Sequence, residues 1–152
     1  MTREEAVKIF LEKTLKAYRE DQAAKDITAS GASAASLRTD QNEQGGKLFG
    51  VGYFKYQFSG RKPGKMPPID AILNWINVKG IATDTTEKGL LSFAFAIAKK
   101  IAKSGTDIFQ SKRPGLNVDE KILEYRKELV QNIISSVKHD MKESVEKLKA
   151  RA

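Results

Sequence analysis

Hydrophobic residues recur at helical spacing in four stretches of this chain and alternate with a period of two in a fifth. Near the start, Val7, Phe10, Leu11, Leu15 and Tyr18 mark one face of a helix over residues 3–25, with Glu12, Lys13, Lys16, Arg19 and Glu20 on its exposed side. Thr2 and Glu5 form a capping box ahead of it. Residues 27–35, ITASGASAA, are small and polar, and suit either a flexible linker or one short helical turn. Residues 37–40 read as a short strand, and 42–46 supply turn residues. The strongest strand signal is 47–58, with Phe49, Val51 and Tyr53 on one face and Leu48, Phe54, Tyr56 and Phe58 on the other. Apolar residues on both faces require cover on both sides, from helices of this chain and from a neighbouring subunit.

The next stretch, GRKPGKMPPIDAILNWINVKG over residues 60–80, organises the middle of the chain. Pro63, Pro67 and Pro68 fix φ and lack a donor, and Gly60 and Gly64 permit unusual backbone angles, so its first half is a stiff loop. A helix follows, because Pro67 and Pro68 suit a helix start and Ile69, Ile72, Leu73 and Ile76 share a face. Gly80 is placed to end that helix, with Ile81 folding back on Ile76 in a Schellman motif. Asp84 and Glu87 offer a cap for a helix over 88–104 that stops at Gly105. Its apolar arc is wide, taking in Leu90, Leu91, Phe93, Ala94, Phe95, Ile97, Ala98, Ile101 and Ala102, and predicts the central core helix. A loop over 106–116 carries Phe109 and a second Arg-Pro-Gly, at Arg113 to Gly115.

Asn117 and Glu120 then cap a long final helix over 118–149, where Val130, Ile134, Val137, Met141, Val145 and Leu148 keep a spacing of three or four. That stripe suits packing on its own domain first and on another helix beyond it. The expected fold is α+β. A small antiparallel sheet with one long aromatic strand is packed by helices and followed by the long C-terminal helix. Residues 1–152 form one domain on this reading, with the sheet and core helices over 35–105.

The net charge of +8 sits in one place: residues 47–113 hold 12 Lys or Arg against 4 Asp or Glu, whereas the flanks hold 15 of each sign. A basic middle suits nucleic acid, an acidic protein, or simply a solvated surface. The absence of cysteine excludes disulfides, thiol catalysis and Cys-ligated metal. The longest nearly apolar run, residues 90–98, is far short of the roughly 20 residues that span a bilayer, so no membrane association is expected.

Little in the sequence points to chemistry. Gly60 to Lys65 is one residue short of a phosphate loop, Met66 stands where Ser or Thr would bind magnesium, and Pro63 removes a backbone donor. His139 is the one histidine and has no ligand-spaced partner. Asp119, Glu120 and Glu124 cluster at a helix start, where carboxylates favour the dipole. No nucleophile, base and orienting group stand together, so no catalytic residue, metal site or cofactor is expected.

Three stretches, ITASGASAASLR (27–38), GRKPGKMPPIDAILNWINVKGI (60–81) and FAIAKKIAKSGT (95–106), carry a family resemblance. In their order and approximate spacing over residues 1–118, the chain resembles the tail-completion, or head–tail joining, neck proteins of tailed bacteriophages. The Pro-rich stretch is the specific part. The chain departs from the family in the short segment between its two strands and in its long, charged final helix. The resemblance implies an α+β virion protein, made in the host cytoplasm, that assembles into a ring of six or twelve copies around the DNA channel. Portal-side connector proteins and tail proteins would be its neighbours, with DNA close by and no catalysis.

The residues suit such a role. Arg61, Lys62, Lys65, Tyr53 and Trp75 are candidates for subunit contacts, and Lys99, Lys100 and Lys103 for a DNA-facing stripe. A tryptophan such as Trp75 is more often simple core, and a lysine stripe of this kind is more often a solvated helix face. The alternative function is a basic nucleic-acid-binding accessory protein.

Overall fold

A computed structural model describes residues 1–42, 45–82 and 85–150. Within the chain two compact units form, Met1–Glu20 with Leu37–Phe49 and Val118–Ala152, and Asp21–Ser36 with Gly50–Asn117. The α+β class holds: six α-helices, one 3-10 turn and a two-stranded antiparallel sheet occupy the described residues.

The first unit joins most of α1 (Arg3–Ala24) to the hairpin β1 (Arg38–Asn42) and β2 (Gly45–Phe49) and to α6 (Asp119–Lys149). The expected capping box is present: the Thr2 amide donates to Glu5 Oε2 at 2.7 Å and the Glu5 amide to Thr2 Oγ1 at 3.1 Å. α1 and α6 run antiparallel, as cross-helix partners record: Lys121 with Glu20 (3.5 Å), and Lys13 with Glu128 (2.6 Å) and above the Tyr125 ring. Tyr18 sits in this seam, where burial first and the Asp119 carboxylate second push its hydroxyl above the usual tyrosine range. The hairpin lies on α1, with Gly46 so close to Leu11 that a Cβ would overlap that side chain. Arg38 pairs across the strands with Phe49 and stacks on its ring at 5.2 Å.

α6 outruns this support. Continuing the register of those pairs, the first residues of α1 lie opposite the neighbourhood of Ser136, the last buried residue of α6. Beyond it Val137, Met141, Val145 and Leu148 stand in solvent, Met141 at 64% and Leu148 at 67%. The N-terminus of α6 also differs from expectation. Val118, not Asn117, takes the cap position and no side chain caps it; Asp119 and Glu120 lie in the first turn.

The second unit is built from α2 (Ala32–Ser36), the 3-10 turn Gly52–Lys55, α3 (Tyr56–Ser59), α4 (Ile69–Lys79) and α5 (Glu87–Ser104). The long aromatic strand over 47–58 is therefore corrected: strand pairing stops at Phe49 and the chain turns helical from Gly52. β1 offers partners only back to Arg38, and Gly50 and Gly52 interrupt the run. Phe54 and Phe58 meet edge to face at 5.2 Å, as neighbours four apart on a helical path do. Residues 50–58 therefore present no two sheet faces that need cover.

α4 begins after Pro68 and ends as the sequence requires. Gly80 adopts φ 64°, ψ 29°, its amide donates to Asn77 O, and the Ile81 amide reaches back to Ile76 O at 3.0 Å. α5 starts on Thr86, whose hydroxyl accepts from the Gly89 amide; the Asp84 part of the expected cap lies outside the described residues. α4 and α5 pack together, burying Ile76 from one and Ala94 and Ala98 from the other. α5 is not the enclosed core helix expected. Leu91, Phe93 and Phe95 are exposed, because α4, at 11 residues, covers one stripe of an 18-residue helix.

A buried polar cluster locks the rest of this unit. Gln22 Nε2 donates to Gln57 Oε1 (2.7 Å) and Ser33 Oγ (3.1 Å), and Ser33 Oγ donates to Gln57 Oε1 (3.2 Å). The small-residue segment 27–35 thus contains a helical turn that brings Ser33 to the cluster. The second Arg-Pro-Gly is a staple: Arg113 donates to the carbonyls of Lys25 and Asp26, and Lys25 Nζ bridges Asp21 and the Gly115 carbonyl at 2.8 Å each.

Candidate functional site

The stiff loop after α3 is held from behind by its own backbone. The Arg61 amide donates to Thr106 Oγ1 (2.9 Å), the Thr106 amide to Arg61 O (3.0 Å), and the Gly64 amide to Ala102 O (2.9 Å). Two glycines make this approach possible. Gly60 (φ 70°) faces the Phe109 backbone and Gly105 (φ 77°) the Arg61 carbonyl, so neither tolerates a Cβ. In front, the Arg61 guanidinium donates to Lys65 O at 2.7 Å and closes the loop on itself.

Two of the loop's amides are thus spent inward and Pro63 has none, so Gly60 to Lys65 cannot form an amide cradle of the phosphate-loop kind. What it presents is side-chain charge. A groove of about 510 Å³ lies over the loop, lined by Lys55, Arg61, Lys62 and Lys65, by the rings of Tyr56 and Phe109, and by Ser59, Gly60 and Pro63. Among the described residues no carboxylate lines it. Lys62 and Lys65 have no ion pair among the described residues. Lys55 Nζ stands over the Tyr56 ring at 5.1 Å, so cation and ring form one wall.

Of the candidate residues, Arg61, Lys62 and Lys65 come together here. Tyr53 lies in the 3-10 turn, half exposed and outside the groove lining. Trp75 is 40% exposed on α4, so it is not enclosed core, and it joins Val78 on an exposed apolar flank. Lys99, Lys100 and Lys103 are exposed on α5, the helix whose end is bonded to the loop. Lys55, Tyr56 and Phe109 were missed as site residues. Reading 47–58 as a strand hid the first two, and Phe109 reaches the groove only through the non-local pairing of Thr106 with Arg61.

Away from the groove, Lys79 donates to Asp26 at 2.7 Å, and that hydrogen bond, with the charge behind it, holds the Asp26 carboxyl below the usual aspartate range. Among the described residues no helix is long and apolar enough to cross a membrane. No protein-family model, curated protein or solved structure matches the chain.

Proposed function

We propose that the chain is a non-enzymatic structural component that assembles into a ring, at the head–tail junction of a tailed phage. The observation that carries the assembly is a pair of different exposed apolar surfaces. One is the free stripe of α6, from Val137 to Leu148; the other is the α4–α5 surface bearing Trp75, Val78, Leu91 and Phe95. Apolar areas of this kind mark interaction sites. Two unlike surfaces on one chain suit a head-to-tail contact, which builds a ring where its rotation closes and does not build a two-fold dimer.

The occupant of each surface is another copy of this chain. Charge permits that choice: residues 119–149 carry 7 basic and 7 acidic side chains, so α6 meets the basic second unit of a neighbour without net repulsion. The place in the virion, between portal-side connector and tail proteins, rests on the resemblance of residues 27–38, 60–81 and 95–106 to neck proteins. Antibody labelling of phage particles carrying the chain tests the placement. One labelled ring at the head–tail joint is expected, and label on the capsid shell or the tail tip contradicts it. The alternative, a basic nucleic-acid-binding accessory protein, draws on the cations of the loop and α5, which have no ion pair among the described residues.

A further inference from the structure

The groove over the Gly60–Lys65 loop has a composition that the ring reading does not use. Among the described residues, four cations, two exposed rings and no carboxylate surround about 510 Å³. Ligand sites fall in the range of about 300 to 1,000 Å³, and this one is apolar on its aromatic walls and positive elsewhere. The ligand it fits is a flexible polyanion that alternates negative charge with flat rings.

We propose that this groove binds a short run of single-stranded nucleic acid, with phosphates at Lys62, Lys65 and Lys55 and a base against Tyr56 or Phe109. Single-strand binding elsewhere combines a positive groove with aromatic stacking platforms. Duplex DNA keeps its bases stacked inside and offers the two rings nothing to stack on. An acidic peptide satisfies the lysines, but the basic field runs beyond the groove. Lys99, Lys100, Lys103 and Lys112 are exposed in the same unit, and of these the first three stand on the helix bonded to the loop. A long polyanion uses that extension and a short peptide does not. The rigid floor, bonded at Arg61, Gly64 and Thr106, presents the cations without first having to order the loop.

The site stands on the groove alone and is independent of ring formation. Fluorescence anisotropy with a labelled oligothymidylate, its duplex with oligoadenylate, and polyglutamate of matched charge tests it on the full chain. The single strand is expected to bind at least about tenfold more tightly than duplex or polyglutamate, with an affinity falling steeply as salt rises. Lys62→Glu with Lys65→Glu should lower single-strand affinity at least about tenfold. Tyr56→Ala should lower it at least about fivefold, the lower end of what one stacked base contributes, and leave polyglutamate binding unchanged. Circular dichroism and native mass confirm that the variants fold and assemble as the parent does. Duplex or polyglutamate binding as tight as the single strand overturns the proposal, as does a Tyr56→Ala variant that binds the single strand normally.

Discussion

The two units differ in their balance of charge. In the first, 15 basic and 13 acidic residues nearly cancel, and they pair with each other across α1 and α6 and along α6 itself. In the second, 12 basic residues face 6 acidic ones. There Lys25, Lys79 and Arg113 bond to Asp21, Asp26 and backbone carbonyls, backbone groups, glutamines and a serine supply further bonds, and the loop lysines are left to solvent. Charge in the first unit nearly cancels; in the second, part of it staples the fold and the excess at the loop is left over for a partner. Half-exposed ion pairs contribute only about 0–1 kcal/mol each, so the first unit's pairs fix register more than stability.

If that contrast is right, mutations of the same type should differ in size between the units. The largest gap is expected for glycine. Gly115→Ala drives a Cβ into the Phe58 carbonyl, backbone against backbone, and should cost about 3 kcal/mol in thermal or urea unfolding. Gly46→Ala meets side chains alone, the flexible end of Leu11 and less closely Val7, and should cost about 1 kcal/mol. Equal losses would break the comparison.

Polar groups come next. Gln22→Ala strips partners from Ser33 and Gln57 in a buried cluster and should cost about 2 kcal/mol. Lys13→Ala removes a half-exposed pair with Glu128 and should cost about 0.5 kcal/mol, measured the same way. Trp75→Ala, at 40% exposure, should cost about 1 kcal/mol in stability and much more in assembly.

The smallest effect concerns acid. The folded-state pKa of Asp26 is lowered by Lys79, so its contribution is present above the unfolded aspartate value and is lost as pH falls through the lowered folded one. Asp26→Asn should flatten the stability profile in that acid window and leave it unchanged near neutrality apart from a constant offset. A profile identical to the parent's would show that the pair is spent in solvent.

How much of this was legible in the sequence depended on range. The capping box at Thr2 and Glu5 and the Schellman ending at Gly80 were read correctly because each is decided within six residues. The span 50–58 was misread because Phe54, Tyr56 and Phe58 keep an even spacing, and a separation of four fits a strand face and a helix face alike. The apolar arc of α5 gave its helix correctly but not its cover, since periodicity does not say how long the opposing helix is. In the groove, the loop cations were visible as a cluster. The second aromatic wall was not, because Phe109 arrives through hydrogen bonds between segments more than forty residues apart.

The central claim is that the free stripe of α6 docks on a second copy of the chain. Native mass spectrometry of the full-length protein, beside a Val137→Asp, Met141→Asp double variant, tests it most directly. Both positions are already exposed, so the variant should melt within about 0.5 kcal/mol of the parent. The account predicts a closed oligomer of more than two copies for the parent and a folded monomer for the variant. A parent that stays monomeric at roughly 100 μM, the weak end of specific association, or a variant that assembles as well as the parent, would contradict it.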